Sequence, residues 1–178
     1  MGLAMTKLYR LFWSNKERKI LIIGLDNSGK TTTLYQISTG ETVQTAPTIG
    51  SNVVEHSWKN INFIMWDVGG QESLRATWST YYQDTEFLIV VIDSTDKVRL
   101  PIIKNQLYSM LTHEDLAHVA ILVYANKQDI KGALTAAEIS NELKLVDIKT
   151  HKWQIQASSA LTGEGIVAGL EWIAGNLS

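Results

Sequence analysis

A chain of 178 residues is long enough for one domain with a buried core, and its formal net charge of −2 lacks the basic excess of nucleic-acid-binding proteins. Cysteine is absent, which excludes disulfides, thiol catalysis, cysteine-ligated zinc and S-palmitoylation. No apolar run is long enough to span a bilayer, and Lys7 and Arg10 leave no apolar core for a signal peptide. We therefore expect a cytosolic, monomeric protein without nucleic-acid partners.

The predicted elements alternate between strands and helices. Continuous apolar runs typical of buried strands lie at 19–24, 62–67, 86–93, 119–126 and 153–158, and a strand at 51–58 is expected to form an antiparallel hairpin with 62–67 through Lys59 and Asn60. Helix patterns lie at 30–38, 97–112, 135–144 and 164–176, the third with a capping-box pair, Thr135 and Glu138. This order predicts a three-layer α/β domain with a six-stranded, mostly parallel sheet, which binds ligands at the carboxyl ends of its strands.

The first motif, GLDNSGKT at 24–31, follows a strand and precedes a helix. It matches G-x-x-x-x-G-K-[ST], a loop whose backbone amides surround phosphate with help from the helix dipole. Lys30 is then placed to reach the β- and γ-phosphates, and the Thr31 hydroxyl to ligate Mg²⁺. The alternative is a chance Gly-Lys turn, which the strand–loop–helix context disfavours.

The second motif, DVGG at 67–70, ends another strand. Asp67 can hold Mg²⁺ through water, and the Gly70 amide can approach a γ-phosphate because no side chain blocks it. Gln71 follows, and its amide can orient an attacking water by donating and accepting hydrogen bonds together. Thr48, in the loop 41–50, can complete the Mg²⁺ shell when a γ-phosphate is present. Each feature alone is an ordinary turn or loop, and their order along the chain favours the phosphate site.

The third motif, NKQD at 126–129, also ends a strand. A carboxylate at Asp129 can accept hydrogen bonds from the N1–H and the exocyclic amine of guanine, a donor pair that adenine lacks. We expect Asn126 on the N7 or O6 side of the ring and the Lys127 stem over the base. The segment 158–160 follows the last strand and is expected to give a backbone N–H to the guanine oxygen, so that its side chains matter less.

Two alternatives from other classes stay open at this point. A P-loop small-molecule kinase would need lid arginines and an acceptor site, whereas the chain has only four arginines, none of them clustered. A scaffold that keeps the fold but ignores the γ-phosphate is disfavoured by intact Thr31, Thr48, Asp67 and Gln71.

Together these residues resemble the ADP-ribosylation factor (Arf and Arf-like) family of small GTPases. The resemblance rests on GLDNSGKTT, PTIG, WDVGGQE, ANKQD and ALTGEG, and it covers essentially the whole chain; IGSNV, STYY and HEDL look most like the Arf-like five branch. It implies a P-loop G domain over 17–178 preceded by an amphipathic helix over 1–16. It also implies a switch in which GTP loading expels this helix and shifts strands 51–58 and 61–67 in register.

By the same resemblance, GTP or GDP with Mg²⁺ is the ligand. The nucleotide-binding residues carried over by motif are Asp26, Asn27, Ser28, Gly29, Lys30, Thr31, Thr32, Thr48, Gly70, Asn126, Lys127, Asp129, Ser159 and Ala160. Thr31, Thr48 and Asp67 (through water) are expected to hold the metal, and Gln71 and Lys30 to act in catalysis. The expected partners are an exchange factor, an activating protein with an arginine finger, and GTP-dependent effectors.

The effector surface is expected at Ser51, Trp66, Trp78 and Tyr81. Arf proteins proper carry an aromatic residue immediately after PTIG, whereas this chain has Ser51 there, which implies a different set of partners. Residues 31–47 contain no arginine, and Asp26 occupies a position where many GTPases use glycine. We therefore expect very slow intrinsic hydrolysis. Arg75 is expected to lie at the surface or to contact a partner.

The N-terminus, MGLAMT, matches the myristoylation pattern at Gly2. In a helix, one apolar face would combine Ala4, Met5, Leu8, Leu11 and Phe12. A single myristoyl chain anchors a protein only marginally, so release of this helix would supply a second membrane contact. The branch resemblance places the membrane at the Golgi or trans-Golgi network and implies a role in vesicle transport.

Overall fold

A computed structural model describes residues 17–42, 45–59 and 61–177. Segment 1–16, with the predicted amphipathic helix and Gly2, lies outside the described residues, so the division of the chain at residue 16 stays a prediction. Among the described residues, no helix is long and apolar enough to cross a membrane.

These residues form a six-stranded sheet in the order β2-β3-β1-β4-β5-β6. Its strands are β1 (Glu17–Ile23), β2 (Ser51–Trp58), β3 (Ile61–Val68), β4 (Phe87–Asp93), β5 (Ala120–Asn126) and β6 (Trp153–Ala157). β2 pairs antiparallel with β3, and the other pairs are parallel. β4 and β5 are buried on both faces, which explains their continuous apolar sequences. The predicted hairpin and the mostly parallel sheet are confirmed.

Helices connect the strands: α1 (Lys30–Thr39), α2 (Glu72–Arg75), α3 (Leu100–Met110), α4 (Ala136–Leu143) and α5 (Ile166–Gly175). Local sequence sets their ends. α1 ends at Gly40, whose φ of 71° lets its N–H bond the Gln36 carbonyl. α3 has Pro101 in its first turn, where no N–H is needed. α4 begins with the predicted capping box between Thr135 and Glu138.

Two hydrophobic layers cover the sheet. On one face, α3 and α4 pack on β4 and β5 through residues such as Leu107 and Leu143. On the other face, α1 and α5 pack through Leu34 and Leu170. Each fully buried side chain of this kind contributes about 1.5–3 kcal/mol. The three-layer architecture is confirmed, and it leaves the loops at the sheet edges to carry the site.

Two segments differ from the sequence prediction. Residues 97–99 form a short 3₁₀ turn before α3, instead of the start of one helix over 97–112. Residues 72–81, which show no period, fold as the single turn of α2 followed by a 3₁₀ turn, Trp78–Tyr81. Neither piece is long enough to bury a helical face, so no periodic pattern exists to be detected.

The sheet brings the predicted motifs to one edge. Ile22 lies opposite Asp67 in the β1–β3 register, Asp93 lies opposite Asn126, and Ala125 lies opposite Ala157. The segments that follow β1, β3, β5 and β6 therefore begin together at the carboxyl edge of the sheet, where a ligand of an α/β domain binds.

Candidate nucleotide-binding site

The loop between β1 and α1 has the backbone shape of an anion-binding nest. Asn27 and Gly29 both lie in the left-handed region, with φ of 63° and 92°, and the N–H of Ser28 bonds the Leu25 carbonyl. Such alternation turns successive N–H groups toward one centre at the start of α1. Gly29 is required for a second reason: a Cβ there would lie 2.4 Å from the Asn126 amide nitrogen.

Lys30 is buried beneath this loop. Its Nζ donates a hydrogen bond to the Leu25 carbonyl at 3.1 Å. Burial lowers the pKa of its ammonium, while Asp67 and Asp26 act in the opposite direction. An anion in the loop would stabilise the buried ammonium and raise its pKa again, so the position suits a phosphate-binding lysine.

Thr31, Thr48 and Asp67 converge at the start of α1. The two threonine hydroxyls lie 2.9 Å apart, and they donate to Asp67 Oδ2 from 2.5 and 3.2 Å. Asn52, which the sequence analysis did not single out, also reaches Oδ2, at 3.4 Å. Thr48 therefore joins the P-loop and Asp67 across 17 and 19 residues of sequence.

This cluster fits Mg²⁺. Asp67 is fully buried, and its Oδ1 has no hydrogen-bond partner within the described part of the chain. Burial raises the pKa of this carboxyl, against hydrogen bonds from Thr31 and Thr48 and the charge of Lys30. A hard cation would satisfy both the orphaned oxygen and the charge. Among the described residues, no group of three or more histidines, cysteines and carboxylates is arranged so that it could hold a metal ion.

Gly70 lies directly on the phosphate loop. The N–H of Asp26 donates to the Gly70 carbonyl at 3.2 Å. A Cβ at Gly70 would lie 2.3 Å from the Gly24 carbonyl oxygen and 2.6 Å from the Asp26 nitrogen, so any side chain would force the two loops apart. Gln71 follows at the start of α2 and is exposed, beside the site and open to solvent.

The base end of the site is a set of loop-to-loop ties. Asn126 donates from Nδ2 to the Ser28 carbonyl and accepts at Oδ1 from the Ala160 N–H, each at 2.9 Å. Asn126 therefore forms a strap between the phosphate loop and the loop after β6, and the guanine contacts of Asn126 and of the 158–160 backbone stay predictions. Ser159 Oγ donates to Asp129 Oδ1 at 2.7 Å, so the Ser159 side chain orients the carboxylate proposed to read the base.

Lys127 extends along the same edge. Its Nζ lies 2.6 Å from both the Asn27 carbonyl and Asp93 Oδ2. Its stem therefore spans the space between the phosphate loop and the end of β4, and its predicted position over a base stays a prediction. Thr32 lies one residue further into α1 than Thr31.

The structure separates the four predicted effector residues into three that are half-buried and one that is buried. Trp66 and Tyr81 are half-buried neighbours with ring centroids 5.8 Å apart, and Lys19 lies over the Trp66 ring at 5.2 Å. Ser51, also half-buried, begins β2 opposite Val68. Trp78 was wrongly placed at this surface: it is only 1% exposed, and its Nε1 donates to the Gly69 carbonyl at 2.9 Å. Trp78 therefore supports the glycine pair from below.

The sequence prediction for Arg75 was also wrong. Its side chain is only 10% exposed, its Nε donates to the Gly70 carbonyl at 3.0 Å, and its Nη2 lies 3.6 Å from Asp26 Oδ1. Arg99, which the sequence analysis did not select, donates to the same Asp26 oxygen at 2.9 Å. No local sequence pattern indicates a contact between residues 73 positions apart, so nothing in the sequence signalled the contact between Arg99 and Asp26.

A nucleotide with its phosphates in the loop before α1 and its base at Asp129 would contact all three clusters at once. This arrangement on a mostly parallel α/β sheet is that of a P-loop GTPase. The model of the ADP-ribosylation factor family matches residues 4–177, and the chain belongs to this family of small GTPases.

Curated relatives cover the whole chain. The chain is 57% identical over 177 residues to ADP-ribosylation factor-like protein 5A of Bos taurus, with 99% of this chain and 98% of the relative covered. It is 56% identical to ADP-ribosylation factor-like protein 5 of Caenorhabditis elegans, with 99% and 100% covered. A solved structure, the Arl6 BBS3 small GTPase from Trypanosoma brucei with bound nucleotide analogue GppNp, superposes with a TM-score of 0.84 at 35% identity, covering 90% of this chain and 96% of that one. The resemblance to the Arf-like five branch is confirmed.

Proposed function

We propose that this protein is a GDP/GTP switch of the Arf-like five branch that recruits effectors to membranes in Golgi and endosomal vesicle trafficking. The observation that carries the switch is the meeting of Thr48 with Thr31 and Asp67. It joins an exposed loop to the place where a γ-phosphate and Mg²⁺ would lie. Bound Mg²⁺ would neutralise phosphate oxygens there; Thr31 and Thr48 would be its protein ligands, and Asp67 would hold it through water.

The loop that carries Thr48 suits a signal. Ile49 beside it is 88% exposed, and the Gly50 carbonyl accepts the N–H of Gly69, which directly precedes Gly70. A ligand that binds Thr48 therefore also affects the positions of the start of β2 and of the loop after β3. Ser51 and Trp66 lie on this hairpin, so its surface can report what occupies the phosphate site.

The arginines of the described residues support slow intrinsic hydrolysis. Arg75 and Arg99 are both engaged by Asp26, and Arg18 pairs with Glu86 at the opposite edge of the sheet. Stabilising the charge of phosphoryl transfer would require an additional cation, which an activating protein can supply with a rate gain of about 10³–10⁵. Exposed Gln71 is accessible to such a partner.

The membrane part of the proposal rests on sequence. The pattern at Gly2, the amphipathic face expected over 1–16 and the family membership support a myristoylated anchor. The relatives support only the Arf-like five branch, and the Golgi as the place of action is what the resemblance to that branch implies.

Loading the full-length chain with GDP or a non-hydrolysable GTP analogue tests the switch. We expect Mg²⁺-dependent binding of both, no measurable ATP binding, and a change in tryptophan fluorescence between the two complexes. Single-turnover hydrolysis without a partner should take hours rather than seconds.

Myristoylated protein carrying the GTP analogue should float with liposomes, whereas the GDP form should not. Identical fluorescence and identical flotation in both nucleotide states would contradict the proposal.

A further inference from the structure

Asp26 in the phosphate loop is bound by two arginines from separate parts of the chain. Arg99, in the turn before α3, donates from Nη1 to Asp26 Oδ1 at 2.9 Å and from Nη2 to the Asp26 carbonyl at 3.1 Å. The Nη2 of Arg75, at the end of α2, lies 3.6 Å from the same Oδ1. We call Asp26, Arg75 and Arg99 the arginine latch.

The arginine latch closes a ring of contacts around Gly70. Arg75 contacts Asp26 with one nitrogen while another, Nε, donates to the Gly70 carbonyl at 3.0 Å. That carbonyl also accepts the Asp26 N–H. The peptide between Gly70 and Gln71 is therefore held against the phosphate loop by two donors, one of them charged.

The two arginines have different partners. Arg99 binds Asp96, which lies in the same turn, as well as Asp26 in the phosphate loop, so it anchors the Asp26 side chain to that turn. Arg75 has no such second carboxylate among the contacts of the described residues; its other partner is the Gly70 carbonyl. Arg99 thus fixes the carboxylate, and Arg75 uses that fixed carboxylate to hold the loop after β3.

We propose that Arg75 and Arg99 are positioning residues that, through Asp26, hold Gly70 and Gln71 in the arrangement that binds a nucleoside triphosphate. This inference rests on the proposed function and adds the residues that set its discrimination between GTP and GDP. Gly70 ends the segment that carries Asp67, and a Cβ on the preceding Gly69 would lie 2.5 Å from the Thr48 carbonyl oxygen, so Gly70 lies on the side of the phosphate loop where the third phosphate would be. Loss of the arginine latch therefore weakens retention of the triphosphate and leaves the diphosphate largely unaffected.

The alternative is that the arginines only neutralise Asp26 and support the fold. A folding role would change the release of GDP and GTP equally, because both nucleotides need the same phosphate loop and base loops. The ratio of the two release rates therefore separates positioning from support.

The test measures release of fluorescent GDP and of a fluorescent non-hydrolysable GTP analogue from the full-length chain in Mg²⁺. For Arg75→Ala we expect release of the analogue to accelerate about tenfold, the size of one charge-assisted hydrogen bond, with GDP release within about twofold. Arg99→Ala should shift the same ratio in the same direction. The controls are Ser73→Ala in α2 and Lys97→Ala beside Arg99, both exposed positions that should release both nucleotides as the wild type does.

A second variant keeps the test decisive if Arg75→Ala does not fold. Asp26→Asn preserves the volume of the side chain and removes the charge that both arginines share, so it should produce the same shift in ratio, and adding Arg75→Gln to it should produce little more. Equal acceleration of both nucleotides, or no change, would overturn the role of the arginine latch. Failure of the wild-type chain to bind either nucleotide would instead overturn the proposed function.

Discussion

Replacing Asn126 with alanine should separate the two loops that enclose the nucleotide. Asn126 is only 2% exposed, and its amide joins the Ser28 carbonyl in the phosphate loop to the Ala160 N–H in the loop after β6. Alanine removes both contacts and leaves the β5 backbone in place. The two partners must then either stay buried without hydrogen bonds or move apart to reach water.

The magnitude follows from those two partners. Each buried group left unsatisfied costs about 1–3 kcal/mol, so the closed arrangement loses about 2–6 kcal/mol. Movement of the loops limits the loss toward the lower value, which corresponds to an affinity decrease of about 30-fold. Because GDP and GTP both need the phosphate loop and the loop after β6 that these contacts join, both nucleotides should be affected by the same factor.

Isothermal titration of the Mg²⁺-containing protein with GDP and with a GTP analogue measures this factor. Ser158→Ala is the matched control, since Ser158 is buried in the same loop and its Oγ has no hydrogen-bond partner within the described residues. We expect this control to bind both nucleotides within about twofold of the wild type. A loss of GTP affinity alone in Asn126→Ala, or an equal loss in the control, would refute the strap described for Asn126.

Three further outcomes are expected. Gly70→Ala should weaken binding of a GTP analogue far more than that of GDP, because its Cβ would lie 2.3 Å from the Gly24 carbonyl oxygen and would push the Gly70 amide away from the third phosphate, which only GTP has. Gly175→Ala, whose Cβ meets no described atom within 4 Å, should change neither affinity. Asp129→Asn should lower GTP affinity by about 100-fold and raise that for xanthosine triphosphate, because Ser159 would then orient an amide donor; unchanged base preference would contradict this reading. Partial burial lowers the pKa of His56, so on acidification the unfolded chain binds a proton at this residue before the folded chain does. Stability to urea should therefore fall as the pH drops below about 6.5, and His56→Gln should flatten this dependence. The same slope of stability against pH in both proteins would rule out a contribution from His56.

Sequence alone predicted the centre of the sheet because β4 and β5 are buried on both faces. The runs in β4 and β5 are apolar without alternation, and this pattern is typical of strands that helices cover on both sides. The phosphate-loop residues were likewise predictable, because the fixed spacing from Gly24 to Thr31 is imposed by the geometry of one loop. Strand ends differed by up to two residues, since fraying and pairing rather than composition decide them.

What sequence could not predict are contacts between side chains and distant backbone. Trp78 lies among aromatic residues without a period, so only the three-dimensional structure reveals that its indole supports Gly69. The roles of Arg75 and Arg99 depend on a shared partner in another loop, and Ser159 acts through its hydroxyl where a backbone role was expected. These residues share one property: their partners are set by tertiary packing, which leaves no trace in local spacing.

The phosphate loop is held by hydrogen bonds from residues that come much later in the chain. Arg99, Asn126 and Lys127 bind Asp26, Ser28 and Asn27 across 73, 98 and 100 positions. During synthesis, the loop is therefore made long before the residues that shape it, and its affinity for nucleotide can arise only late in folding. Because a ligand that binds only the native state stabilises it, nucleotide would act on the finished fold and not on its precursors. Nucleotide binding would therefore distinguish a newly made chain that has reached the native fold from one that has not.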